Sequence, residues 1–393
     1  MTSSPPPTGF YLHWPFCARV CPYCDFTVTR SRGEDADAWG AALTDDLRYL
    51  RDRFGSRRLV SLYLGGGTPS LMPDAVLGAL IRAADDLFGL ADGAEVTLEA
   101  NPGDVAPERL AAWRAAGVNR LSLGVQSFDD GQLAFLGRDH DGRTARRAVD
   151  LTLAAFERST FDLIYALPDV RGPDAKGPDA RGPGEGVDAW SARLTEALGT
   201  GVRHLSLYQL TVEPGTAFWR AVERRRWSPP AEGLAADLYE ATDAVTRAAG
   251  LPAYEVSSHA APGHEAVHNA LYWRGADWLA AGPGAHGRVT TAAGRVATAG
   301  TARIGDYRAL TPAERIAEEA LTPEEALTER VAGGLRRSCG LDLAALPEPA
   351  RARLATNAVP LAADGLLTLG GDRLAATGEG RLVLDALTAA LLA

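Results

Sequence analysis

Short runs of β-branched and apolar residues alternate with longer amphipathic stretches over the first three-quarters of the chain. The runs fall at residues 10–13, 59–64, 95–99, 120–124, 160–164 and 204–209, the length of a strand. Between them, apolar positions at helical spacing predict helices around 37–53, 73–88, 107–116, 143–155 and 188–199. Parallel neighbours need a crossover connection, and the crossover is usually a helix. The alternation therefore predicts an α/β fold, a partial (β/α)6 TIM-like barrel over residues 9–305, with its chemistry at the carboxyl ends of the strands.

Three segments break the pattern. Residues 1–8 are rich in Ser and Pro and read as a disordered arm. Residues 171–186 contain the near-repeat GPDAKGPDARGPG, with no side chain larger than Ala among the apolar ones. Such a stretch cannot bury enough surface to fold, so it reads as a flexible insertion. Residues 306–393 form a second unit. It has helices at 323–338 and 348–357, a hairpin over 365–375 turning at 370–372, and a last helix from about 378. Helices followed by a hairpin predict a small α+β, winged-helix-like domain.

Charge narrows what that domain does. From 313 onward there are eight Arg and no Lys against twelve acidic residues. A wing that reads DNA needs basic side chains, so packing is the expected role. The whole chain carries a formal charge of −10, which argues against a nucleic-acid partner. No apolar run approaches the roughly 20 residues of a membrane span, and the first residues do not read as a secretory signal. A cytoplasmic location is expected.

Four cysteines are present, and Cys17, Cys21 and Cys24 fall within eight residues, directly after the first strand run. A secreted disulfide framework would be dispersed. Thiolates are the usual ligands of iron–sulfur clusters, and a compact loop can bring three to one cubane. The fourth iron is then free to chelate the amino and carboxylate groups of S-adenosylmethionine (SAM). Structural zinc is the alternative, but it takes four ligands, normally in two knuckles, and no second CxxC occurs. Cys339 lies far away in a helical stretch and reads as a small buried hydrophobe.

Polar residues collect at the predicted strand ends. LYLGGGTPS puts Gly66, Gly67 and Thr68 after the second strand, where a glycine run either makes a tight turn or lets a ligand approach the backbone. Glu99 ends the third strand, Gln126 the fourth, Arg138 stands in LGRDH, and Asp162 interrupts an apolar strand. A carboxylate can accept ribose hydroxyls, an amide suits a nucleoside, and a guanidinium is a fork for a carboxylate. Each alone can equally be a salt bridge or a solvated end.

Taken together, YLHWPFCARVCPYCDF, LGGGTPS, LEANP, GVQSF and LGRDH resemble the radical SAM family that contains oxygen-independent coproporphyrinogen III dehydrogenases and heme chaperones of HemW type. The resemblance runs from Gly9 nearly to the C-terminus. It implies a radical SAM barrel, a [4Fe–4S] cluster on Cys17, Cys21 and Cys24, and an electron donor for that cluster. It also implies a SAM site made by Tyr11, Tyr23, Gly66, Gly67, Thr68, Glu99, Gln126, Arg138 and Asp162.

Two departures separate the branches. The dehydrogenases resemble CxxxCxxCxC with a long arm ahead of the first strand. This chain has Phe26 at the extra cysteine position and only about ten residues before Tyr11. The run His268-Asn-Ala-Leu-Tyr272-Trp273 matches the HNxxYW of the heme-chaperone branch, which implies heme binding by His268, Tyr272 and Trp273. Imidazole is a standard axial ligand, and His259 or His264 could replace His268, because the family more often has an aromatic where His259 sits. The expected function is a heme chaperone that passes heme to an acceptor protein, with the cluster and SAM in a regulatory or assembly role. The alternatives are radical decarboxylation of coproporphyrinogen III, which is not expected, or a radical SAM reaction on another substrate.

Overall fold

The structure, a computed structural model, describes residues 7–168 and 185–393. All but the last two residues of the 171–186 insertion lie outside the described residues. Six strands follow the predicted runs: β1 (Thr8–Trp14), β2 (Leu59–Gly66), β3 (Leu90–Ala100), β4 (Arg120–Gln126), β5 (Arg158–Tyr165) and β6 (His204–Gln209). They pair in sequence order and in parallel. Thr8 is fully buried in β1 rather than part of the arm.

The sheet continues beyond those six. β7 (Ser258–Ala260) lies antiparallel on β6, and β8 (Asp277–Ala281) lies parallel to β1. Outside β8 come β9 (His286–Thr291), β10 (Gly294–Gly300) and β11 (Ile316–Ala320), all antiparallel. The eleven strands run β11-β10-β9-β8-β1-β2-β3-β4-β5-β6-β7, and β7 does not pair with β11, so the barrel is open.

Side-chain alternation gives the sheet two chemical faces. Leu62, Leu64, Leu98, Leu121, Leu163 and Leu205 are buried in one apolar core under the covering helices, where Phe10 meets Phe88 at 5.5 Å. The intervening positions Tyr63, Glu99, Ser122, Asp162 and Ser206 line an interior pocket. A slip of one residue would exchange the two sets, so burial of the leucines fixes which polar groups face inward. Aspartates start two of the covering helices: Asp35 accepts from the Ala38 amide at 3.0 Å and Asp141 from the Thr144 amide at 2.7 Å.

A second core, with Leu335, Leu354, Leu374 and Leu391 fully buried, belongs to the C-terminal unit. Helices Pro323–Arg336, Glu348–Ala363 and Leu384–Leu392 surround a three-stranded sheet containing the Leu367–Gly370 and Arg373–Ala376 hairpin. Thr322 and Glu325 form a capping box with Pro at the first turn, which fixes where the unit's first helix starts. Residues 306–320, expected in this unit, instead pack with the barrel. Tyr307 and Ile316 are in the larger core, and the Tyr307 hydroxyl and Arg315 guanidinium both bond to buried Asp46. Cys339 stands past the end of helix Pro323–Arg336 and is exposed, not buried.

Candidate functional site

The cysteine loop is tied at its base. Phe16–Cys17 pairs in parallel with Thr29–Arg30, the Ser31 amide donates to the Cys17 carbonyl at 2.8 Å, and the Cys24 amide donates to the Cys21 carbonyl at 3.2 Å. His13 adds a strap through Nε2 to the Thr27 carbonyl at 2.9 Å. All four cysteines are free thiols. Burial, opposed by a Thr68 hydrogen bond and reinforced by the neighbouring Cys24 and Cys21, pushes the Cys17 thiol up to about 11. The Cys24 thiol is also raised, again chiefly by burial.

The glycine run packs against the root of this loop. The Gly67 and Thr68 amides donate to the Trp14 and Phe16 carbonyls at 2.7 and 2.8 Å. A Cβ on Gly67 would stand 2.7 Å from the Phe16 oxygen, and Gly66 has a φ of 106°, so both positions require glycine. Arg138 reaches over from the segment after helix Asp130–Phe135. It donates to the Cys21 sulfur at 3.3 Å, to Asn101 Oδ1 at 2.5 Å and to the Gly124 carbonyl at 2.9 Å. Its buried Nε has no hydrogen-bond partner among the described residues.

Cys17, Cys21, Cys24, Tyr23, Gly66, Gly67, Thr68, Glu99, Gln126, Arg138 and Asp162 all line one cavity of about 590 Å3, at the carboxyl ends of β2 to β6. Glu99 accepts from the Tyr63 hydroxyl at 2.7 Å and the Gly66 amide at 3.1 Å. Burial nonetheless lifts its carboxyl to about 7, against the Tyr63 bond and with a further push from Asp162. Burial lifts Asp162 to about 6, opposed by Ser206, Arg120 and Arg138. Gln126 holds a φ of 69°, a left-handed backbone that non-glycine residues adopt mainly where surroundings enforce it.

Four of the expected site residues lie elsewhere. Tyr11 does not line this cavity. Its ring lies on the inner face beside Tyr63, at 6.1 Å, its hydroxyl bonds His13 Nδ1 at 3.0 Å, and it faces a second cavity together with Tyr272 and Trp273. His268 lines neither. Its Nδ1 pairs with Ser61 Oγ at 2.8 Å, its Nε2 with the Tyr272 hydroxyl at 2.6 Å, and its ring stacks on Tyr63 at 5.0 Å. Burial, with Arg120 adding to it, lowers its pKa to about 3. In this arrangement both nitrogens are engaged and the ring is 1% exposed, so the expected axial ligand has no nitrogen to offer an iron. His259 is buried against Thr246, and neither it nor His264 lines either cavity.

Sequence reasoning missed Tyr63 and Asn101, which orient Glu99 and Arg138. Tyr63 was findable: it stands two residues before the glycine run, on the face of β2 that alternation turns inward. The second cavity, about 1290 Å3, was missed altogether. It lies between β8, β9, helix Val267–Trp273 and the C-terminal unit, and touches the cluster pocket at Asp25 and Phe26.

A three-cysteine loop after the first strand of an open parallel sheet, with polar strand ends around it, defines a radical SAM protein, and residues 11–172 match the Radical SAM superfamily. Residues 321–383 match the HemN C-terminal domain. The chain is 39% identical to the heme chaperone HemW of Mycobacterium tuberculosis over 98% of this chain and 95% of that one. It is 37% identical to the heme chaperone HemW of Escherichia coli over 74% and 72% respectively. The chain belongs to the HemW family. The solved E. coli coproporphyrinogen III oxidase HemN, a radical SAM enzyme, shares the fold, with a TM-score of 0.78 at 22% identity over 98% of this chain and 90% of that one.

Membership of the superfamily implies a [4Fe–4S] cluster and SAM, and the residues present fit both. The Cys17 and Cys24 thiols, raised chiefly by burial, release their protons on binding iron. Among the described residues no three His, Cys, Asp or Glu side chains converge on a single ion, but in a cubane each thiolate binds a different iron. An unpartnered Arg138 Nε and two carboxyls destabilised by burial are groups that a ligand rich in hydroxyls and carboxylate would satisfy.

Proposed function

We propose that the protein is a heme chaperone, binding heme and passing it to an acceptor protein in the cytoplasm. The observation that carries this reading is the second cavity, larger than the cluster pocket and outside it, which leaves room for a macrocycle without entry into the SAM site. The full-length similarity to HemW chaperones supports it. Among the described residues no helix is long and apolar enough to cross a membrane.

Cys17, Cys21 and Cys24 would hold the cluster, and Tyr23, Gly66, Gly67, Thr68, Glu99, Gln126, Arg138 and Asp162 the SAM. Bound there, the pair supplies one-electron chemistry, fed by an external donor, in a regulatory or assembly role. Arg138 donates an N–H to the Cys21 sulfur. The Gly66 amide and the Tyr63 hydroxyl hold the Glu99 carboxyl in place to accept ribose hydroxyls. Phe26, 60% exposed, lines both cavities.

Anaerobic reconstitution followed by parallel assays tests the reading. Heme is expected to bind, and coproporphyrinogen III, given SAM and a reductant, is expected to stay unchanged. Steady formation of a decarboxylated porphyrinogen would overturn the chaperone assignment and leave the cluster assignment standing.

A further inference from the structure

The second cavity is assembled from two chemistries. Tyr272, Trp273, Trp278, Leu327 and Leu346 supply apolar wall, and five arginines line it against three acids. That is a local excess of positive charge in a chain whose formal charge is −10. Arg288, Arg295 and Arg353 are already committed to Glu329, Asp277 and Glu324 respectively. Arg330 is not: among the described residues no hydrogen bond or ion pair engages it, although it sits half-buried beside Gly275. Arg336 stacks over Trp273 at 4.5 Å and has a terminal nitrogen 3.8 Å from Glu255, while its Nε and the Trp273 Nε1 are buried with no hydrogen-bond partner among the described residues. Unpartnered donors beside aromatic walls are what a flat, carboxylate-bearing ligand would satisfy.

Two histidines line this cavity, and they differ. His13 has both ring nitrogens engaged, by the Tyr11 hydroxyl and the Thr27 carbonyl. His286, at the start of β9, has an exposed imidazole with no hydrogen-bond partner among the described residues, while its backbone carbonyl is held by the Trp278 indole at 2.7 Å.

We propose that this cavity is the porphyrin site, with His286 as the axial nitrogen ligand of the iron and Arg330, seconded by Arg336, pairing the propionates. The assignment rests on the reading of the protein as a heme carrier. Trp273 and Trp278 give the macrocycle its apolar walls, and His268 keeps a structural role beneath the floor.

The test uses the full-length protein titrated with hemin. His286→Ala, an exposed substitution on a formed strand, is expected to shift the Soret band and weaken binding, and added imidazole to restore the wild-type spectrum. Arg330→Gln is expected to weaken hemin on the order of tenfold, the loss of one hydrogen bond to a charged group, and to leave hemin dimethyl ester nearly unaffected. His286→Ala with the wild-type spectrum and affinity overturns the site while the carrier reading stands. So does a spectrum lost in His268→Gln and kept in His286→Ala. Wild-type protein that takes up no hemin overturns the carrier reading itself.

Discussion

The two cavities share Asp25 and Phe26 but are built in opposite ways. The cluster pocket is made of strand ends and the loops that leave them, within one continuous barrel, and its carboxyls are held above their usual range by burial. The second cavity is made between units. Trp278 and His286 come from β8 and β9, Tyr272 and Trp273 from a short helix, and Arg330, Arg336 and Arg353 from the C-terminal unit. In the first, Glu99 and Asp162 ride on strands whose other face is buried in the core. The second depends on how the C-terminal unit sits on the barrel. Chemistry that needs fixed distances suits the first, and reversible loading of a large ligand suits the second.

The sharpest break of that comparison is at the cysteines. Replacing Cys17, Cys21 and Cys24 together by Ala is expected to remove iron–sulfur absorbance and acid-labile sulfide completely, whereas Cys339→Ser leaves both intact. Zinc without sulfide in anaerobically purified protein would contradict the cluster.

His268→Ala tests which side of the boundary that residue serves. Its ring fills a buried site and bonds Ser61 and Tyr272, so the substitution is expected to cost roughly 2–4 kcal/mol in urea unfolding, from a cavity and two orphaned hydroxyls. Folded mutant protein should keep the wild-type heme spectrum.

The pH dependence of SAM binding sharpens the electrostatics of the first pocket. The folded Glu99 carboxyl, near 7, lies above its ordinary value, so folding takes up a proton there. Its contribution to stability is lost as pH rises from about 4.5 to about 7. Ribose hydroxyls donate to the ionised form, so SAM affinity should rise with pH, about tenfold between pH 6 and 8. Calorimetry at fixed cluster content reads this, and Glu99→Gln should flatten it. An unchanged slope in that variant would remove Glu99 from the SAM site.

The smallest effect is expected from the insertion. Removing residues 176–183, whose composition offers nothing to bury, should change stability by less than about 1 kcal/mol in the same unfolding assay, because loop closure depends weakly on length. A large loss would show that the segment packs.

What could be read from the sequence follows the same division. β1 to β6 were legible because each is a dense apolar run ending in Gly, Pro or a polar residue. Most of the cluster pocket was legible with them, since its residues sit within a few positions of those ends. β8 to β11 were not. DWLAA, HGRVTT and GRVATAG are rich in Ala, Gly and Arg, and pairing with β1 and with one another, rather than propensity, makes them strands. Tyr11 was placed with SAM by resemblance, yet it faces the second cavity beside His13. His268 was read as a ligand because a motif shows neighbours along the chain and not across it. Ser61, which takes up its Nδ1, is 207 residues away. No local pattern announces a cavity whose arginines arrive from separate segments.

The central claim is that heme is held apart from the cluster. The measurement that meets it most directly is heme stoichiometry and the Soret spectrum of the Cys17→Ala, Cys21→Ala, Cys24→Ala triple variant. The account predicts one heme per chain with the wild-type spectrum in the absence of any iron–sulfur cluster. Loss of heme binding in that variant, or loss of the axial-ligand signature of the wild-type protein, would place the heme at the cysteine loop and contradict the account.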